Sequence, residues 1–200
     1  ELTSDVVGEY LEKLFQQYPG IRKYREDKVR EAKQTGRVTN QLGFYRQIRV
    51  VENSSHWKNI AINTPIQGEA HQIMLIAFAI MKRNPIKYRL LLNSPVMEVH
   101  DEFCCRVPTN RLFEGINLGR ELFEYDTIAT IKRDFKPTWK VPFIVEPKVG
   151  FRRGTLVKIF DKSGDLKATT VEEVLQLCHQ ADETADVELA KGMVFKRSER

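Results

Sequence analysis

Asp101 and Glu102 stand side by side behind His100, between two apolar runs, Pro95-Val96-Met97-Glu98-Val99 and Phe103-Cys104-Cys105-Arg106-Val107. Two such runs around a short polar break predict a β-hairpin with His100-Asp101-Glu102 at its tip. Like charges held this close raise each other's pKa, so the pair is costly unless a cation sits beside it. A magnesium ion coordinated by carboxylate oxygens relieves that repulsion and can align a phosphate group. A solvated turn also accounts for the pair, because turns favour such residues. His100 can likewise be a structural histidine that hydrogen-bonds within the hairpin. Both readings are open on these residues alone.

A second constellation precedes the first. Asn59, Asn63 and Gln67 fall at i, i+4 and i+8, which places three amides on one face of a helix. An amide row offers donors and acceptors without charge, a chemistry suited to sugar and base edges in the minor groove. A polar face turned to water is the alternative. Gly68, directly after the row, permits close approach of a backbone or ligand.

The elements that position these residues follow from periodicity. The amide row lies in a long helix from about His56 to Arg83, opened by Asn53-Ser54-Ser55 as capping chemistry. Its expected buried stripe is Ile66, Ala70, Ile73, Met74, Ala77, Ile80 and Met81. Pro65 removes a backbone donor inside it, so a kink is expected there. Upstream, a helix over Leu2 to Phe15 carries the stripe Val7, Tyr10, Leu11, Leu14 and Phe15, and Tyr18-Pro19-Gly20 stops it. A charged helix from about Ile21 to Gln34 follows, with Gly36 at its C-terminus, then two short strands around Gly43. After the hairpin, a helix runs from Pro108-Thr109-Asn110 to about Arg133, and Val141 to Val145 reads as a further strand. Beyond Phe151, two strands over 155–160 and 166–169 pair across a Lys162-Ser163-Gly164-Asp165 turn. Thr170 and Glu173 form a capping box for a short helix to His179, and 180–186 reads as loose.

The chain has 200 residues and a net charge of +5. Between Ile21 and Arg49 nine Lys/Arg face three Asp/Glu, a local charge of +6. A basic segment in an otherwise balanced chain is the footprint of a phosphate-binding surface, and a solvated helix face has the same composition. The longest apolar run, around Ile73 to Met81, is too short to span a bilayer, so no membrane association is expected. Cys104, Cys105 and Cys178 lack the spacing of a disulfide framework or zinc site and read as reduced thiols.

Two segments carry a resemblance. Ala61-Ile62-Asn63-Thr64-Pro65-Ile66-Gln67-Gly68 and Val99-His100-Asp101-Glu102-Phe103 closely resemble two motifs of family A DNA polymerases. The second is similar to that family's motif C, a Val-His-Asp-Glu hairpin on the palm. The first is similar to the helix that touches the primer–template duplex. Phe15-Gln16-Gln17-Tyr18-Pro19-Gly20, Gly36-Arg37-Val38-Thr39 and Val141-Pro142-Phe143-Ile144-Val145-Glu146 extend the likeness over roughly residues 5 to 149. The resemblance implies an α+β fold, part of a right hand: a palm-type antiparallel hairpin with packed helices over residues 1–149. A small αβ appendix, of unassigned role, follows over 150–200. It implies that Asp101 is a magnesium ligand at the catalytic centre with Glu102 as its weaker neighbour. His100 would pack beneath the primer terminus, and Asn63 and Gln67 would contact the duplex. The implied substrates are primer–template DNA and deoxynucleoside triphosphates.

The chain departs from the family pattern in places. Where many members carry an arginine, four residues before Asn63, it has Asn59, with Lys58 adjacent. The turn that usually holds paired arginines reads Gly43-Phe44-Tyr45-Arg46, which leaves Arg46, together with Arg37, as phosphate contacts. A second metal-binding aspartate and the triphosphate-holding fingers helix have no counterpart before Glu1. The expectation is therefore a C-terminal polymerase piece, inactive without its upstream half. It would be a split subunit, as in a phage, or part of a longer chain, working in the cytoplasm of a bacterium or infected host. A non-catalytic module that grips duplex DNA is the alternative, and a structural accessory protein is a more remote one.

Overall fold

The computed structural model describes residues 4–52, 54–93, 95–99, 102–160 and 166–197. His100 and Asp101, and the expected turn at 162–165, lie outside the described residues. Helices and three separate two-stranded antiparallel sheets make an α+β fold. Residues 1–76 with 130–140 form one compact unit, and residues 77–129 with 141–200 form a second.

In the first unit, α1 (Ser4–Gln17) and α2 (Pro19–Thr35) are separated by Tyr18. Pro19 sits at the start of α2, where its missing N–H costs nothing and its fixed φ suits a helix. Val7, Tyr10, Leu11 and Leu14 of α1 are exposed, so the stripe read as amphipathic is open to solvent. Gly36 ends α2 at φ +70°, returning its N–H to the Ala32 carbonyl. A residue with a Cβ is disfavoured in that left-handed conformation. Strands β1 (Arg37–Thr39) and β2 (Tyr45–Gln47) pair with Val38 opposite Arg46.

Internal contacts absorb part of the basic charge of α2. Lys28 donates to Glu31 and to the Thr39 carbonyl, both at 2.7 Å, while the other Glu31 oxygen accepts from the Thr39 N–H. These bonds fasten β1 to α2. Arg22 and Arg30 pair with Glu12 and Asp27. Lys23, Arg25, Lys33 and Arg37 form no ion pair among the described residues.

Helix α3 (His56–Arg83) is continuous through Pro65. Ser54 opens it by accepting the His56 N–H. Its buried side differs from expectation near the proline. Trp57, Ala61, Ile62, Thr64 and Pro65 are buried, whereas Ile66 is 59% exposed and Ala70 is exposed. The core beneath this half is Ala32, Val38, Ile48, Trp57 and Ala61, so α2 and β1 decide which face turns inward. Further along, Ile73 is buried as expected and packs with Leu42 and Ile131. Asn40 organises the β1–β2 turn, its Oδ1 accepting from Leu42 and Phe44 N–H groups and its amide donating to Gln72. Glu69 accepts from the Gln41 N–H and, at 2.5 Å, from the Trp139 indole.

The second unit contains the rest of α3, α4 (Arg89–Leu92) and the hairpin β3 (Pro95–Val99) with β4 (Glu102–Cys105). Val99 pairs with Glu102, so Glu102 belongs to the strand rather than to the tip. A register shift between Pro95 and Met97 places a bulge where proline cannot donate to the ladder. The single helix expected to Arg133 is instead α5 (Leu112–Arg120), a π-helical segment Glu121–Asp126 and α6 (Thr127–Asp134). Tyr88 and Leu122 are fully buried. The Tyr88 hydroxyl donates to Asp126, which also accepts from Lys87. Burial pushes the Tyr88 phenol up to about 12, and the hydrogen bond to Asp126 adds to it. Burial alone would raise the Asp126 pKa, but the hydrogen bonds from Lys87 and Tyr88 outweigh it and hold the carboxyl below its ordinary value.

Three expectations fail beyond residue 140. Val141–Val145 is not a strand: Val141 and Ile144 are 72% and 78% exposed, and the Val145 N–H bonds to Glu124 rather than to a neighbouring strand. The pairing expected between 155–160 and 166–169 shrinks to a Phe160–Leu166 bridge, because β6 (Val157–Lys158) pairs with β5 (Lys148–Val149) instead. The helix expected to end at His179 extends as α7 (Val171–Arg197). Arg152 holds residues 180–186 there through Asp182 and Asp186, and Thr155 also bonds Asp182. The capping box itself is present, with Thr170 Oγ1 accepting the Glu173 N–H and Glu173 accepting from Thr169 and Thr170. Leu112, Ile159, Ala168, Val174 and Cys178 form the core that α7 closes.

Candidate nucleic-acid interface

Asn59, Asn63 and Gln67 are all exposed, and none makes a side-chain hydrogen bond among the described residues. Their row lies opposite the buried Ala61, Ile62, Thr64 and Pro65, whose packing fixes the direction in which the amides point. Lys58 is exposed beside the row, its ammonium 6.0 Å from the Trp57 ring centre. Next to Gln67, Gly68 has a specific steric reason. A Cβ there would lie 2.9 Å from Phe44 Cδ1, so the glycine lets the β1–β2 turn approach α3.

Arg37 and Arg46 both sit on the β1–β2 ribbon but not on the same face. Arg46 pairs with the buried Val38, and Arg37 pairs with Gln47. Side chains alternate along a strand, so Arg37, Thr39, Tyr45 and Gln47 share the side turned away from the core. The Arg37 guanidinium lies 5.2 Å over the Tyr45 ring. Asn59, Asn63, Gln67, Lys58, Arg37 and Arg46 all belong to the first unit, and Glu102 belongs to the second.

In the hairpin, Phe103 anchors β4 between Phe78 and Phe123, with ring centres 5.5 and 6.1 Å away. Such aromatic contacts stabilise beyond their buried area. Its neighbour Glu102 is exposed, its carboxylate 4.0 Å from the Lys148 ammonium on β5. Nothing in the spacing of residues 102 and 148 could have indicated this pair, because the fold alone brings β5 to the hairpin. Cys104 and Cys105 are half-buried free thiols, and burial raises the Cys105 pKa. Cys178 is buried and also raised by burial.

Among the described residues no cluster of three His, Cys, Asp or Glu side chains could hold a metal ion. Magnesium does not require such a cage, since it is commonly held by one or two carboxylates plus substrate phosphates and water. The exposed carboxylate of Glu102, adjacent in sequence to Asp101, has that donor chemistry. Among the described residues no helix is long and apolar enough to cross a membrane.

Residues 1–155 match DNA polymerase family A, and the chain belongs to that family. It is 32% identical over 153 residues to DNA polymerase I of Bacillus subtilis, covering 69% of this chain and 17% of that protein. DNA polymerase I of Bacillus caldotenax is 34% identical over 126 residues (58% of this chain, 14% of that protein). The Caldicellulosiruptor bescii DNA polymerase I is 28% identical over 154 residues (72% and 16%). The chain thus spans about one-sixth of the length of these relatives.

Proposed function

We propose that this chain supplies the motif C carboxylates and the duplex contacts of a DNA-directed DNA polymerase. The exposed Asn59-Asn63-Gln67 row on α3, backed by a buried opposite face, is the observation that carries the proposal. In the reaction, a primer 3′-hydroxyl attacks the α-phosphate of a deoxynucleoside triphosphate paired with the template. Asp101 and Glu102 would hold magnesium, which when bound supplies charge neutralisation at the phosphates. Asn63 and Gln67 keep the primer–template duplex in register through minor-groove acceptors, which are common to all base pairs and so permit any sequence. Asn59 extends that row, and His100 packs under the primer terminus. Lys58, Arg37 and Arg46 neutralise backbone phosphates. A cytoplasmic setting accords with these substrates.

Two measurements test the proposal. A hybrid in which residues 5–149 replace the corresponding segment of the Bacillus subtilis DNA polymerase I is assayed for primer extension. Asp101→Ala is expected to lower extension by more than about a hundredfold, because metal-assisted charge stabilisation contributes several kcal/mol. Duplex affinity of the 200-residue chain should survive that change, and Asn63→Ala with Gln67→Ala should weaken it by about fivefold for each hydrogen bond lost. Extension unchanged by Asp101→Ala sinks the catalytic assignment. A chain that binds duplex in a hybrid that never extends is a non-catalytic DNA-binding module.

A further inference from the structure

Apart from Arg37, which can serve either strand, the ribbon face opposite the core carries chemistry that the duplex contacts do not use. Gly36, Arg37, Tyr45, Gln47, Ile48 and Arg49 line an open groove of about 740 Å³, a size that holds a nucleotide. Within its lining the Ile48 N–H bonds the Gly36 carbonyl. Tyr45 is 53% exposed although Arg37 covers part of its ring. A large aromatic left open beside a stacked guanidinium is a platform for a further planar group. The surroundings are of one sign: between Ala32 and Val51 the sequence has Lys33, Arg37, Arg46 and Arg49 and no acidic residue. Neither Arg37 nor Arg49 has a carboxylate partner among the described residues. A stacking surface flanked by two uncommitted cations matches an unpaired base with its neighbouring phosphates. It does not match a base pair, whose faces are covered within a duplex.

We propose that this groove binds single-stranded DNA, stacking one base on Tyr45 and placing adjacent phosphates against Arg37 and Arg49. The surface is distinct from the α3 amide row, and the proposal rests on the reading that the chain meets DNA. It adds a grip on strand that is not paired, within the unit that holds the duplex contacts. Base stacking is indifferent to sequence, so the groove would accept any nucleotide with a modest preference set by stacking strength.

The test uses the full 200-residue chain and a labelled oligo(dT) of about twelve nucleotides, with a blunt duplex measured in parallel. Oligo(dT) affinity is expected to fall about tenfold or more in Tyr45→Ala and to stay within about twofold in Tyr45→Phe, which keeps the ring. Duplex affinity should not change in Tyr45→Ala. Arg37→Gln should flatten the log–log salt dependence for oligo(dT) by about 0.7, one phosphate contact on a single strand. Because Tyr45 is exposed, both ring variants should fold, and matching helical circular dichroism checks that. The proposal is overturned if Tyr45→Ala binds oligo(dT) like the parent chain or if Tyr45→Phe loses as much as Tyr45→Ala. Absence of oligo(dT) binding by the parent chain also overturns it. The duplex arm reports on the amide row and the oligo(dT) arm on the groove, so either can fail without the other.

Discussion

Gly115 gives a direct test of how the hairpin is held. It is buried in α5, and a Cβ placed there would lie 2.8 and 2.9 Å from the Val107 methyls and 3.4 Å from Val107 Cβ. Val107 follows β4, and a β-branched side chain has little freedom to turn away. Gly119 is in the same helix, and nothing lies within 4 Å of its added Cβ. Replacing glycine by alanine inside a helix gains about 0.8–1 kcal/mol from propensity, whereas overpacking a filled site costs about 1–3 kcal/mol. Gly119→Ala should therefore stabilise by roughly the propensity term. Gly115→Ala should range from neutral to destabilising by about 2 kcal/mol, the net of the two terms. Urea unfolding followed by circular dichroism gives the global difference, and amide exchange in α5 gives the local one. Adding Val107→Ala to Gly115→Ala should recover part of the loss, since it removes the two nearest methyls. Equal shifts for the two glycine variants would refute the close contact between α5 and the exit of β4.

Further outcomes are open to measurement. Tyr88 should ionise at about 12, above the ordinary phenol value, in an ultraviolet alkaline titration, and Tyr88→Phe should remove that step. Its folded pKa is raised, so its stabilisation is complete below the ordinary phenol value and is lost as pH climbs through about 12. Asp126 has the opposite sign: its contribution is present above the ordinary aspartate value and disappears as pH falls through its lowered folded pKa. Thr170→Ala should cost about 1 kcal/mol through loss of the α7 cap, seen as faster amide exchange in the first turn of that helix. Glu69→Leu should leave the Trp139 indole and the Gln41 N–H without their acceptor, costing about 1–3 kcal/mol. Trp139 is one of only two tryptophans, so indole fluorescence can follow the change.

Local signals carried the first unit well and the second less well. Gly36 and the serines before His56 act on residues adjacent in sequence, so the end of α2, the start of α3 and the presence of two strands around Gly43 are legible, whereas Pro19 reads as the stop of α1 and instead opens α2. Capping is equally local, which is why Thr170 and Glu173 were read correctly while the far end of α7 was not. Past His179 the helix carries Asp182 and Asp186, which Arg152 reaches across about thirty positions of chain, a contact no helical period encodes. Ile66 was misassigned because a proline-containing helix offers several apolar faces, and contacts from α2 and β1 select among them. Val141–Val145 has strand-like composition, yet a strand exists only through a partner, and Glu124 took one of its N–H groups instead. For the site, the amide row was visible because i, i+4 spacing is a helix property. The Arg37–Tyr45 platform was not, since it needs the register of two strands.

The π-helical segment Glu121–Asp126 also sets how the chain can change in length. A π turn contains one residue more than an α turn, so deleting a residue there would restore an ordinary helix with its hydrogen bonding intact. Because the π turn takes up its extra residue within one turn, the side chains after such a deletion would keep their angular phase relative to those before it. Leu122 could then stay buried while Asp126 still faced Tyr88 and Lys87. The same deletion in the regular turns of α5 would rotate everything after it by about 100°. Among variants of this helix, a one-residue loss should therefore be tolerated between Leu122 and Asp126 and not elsewhere.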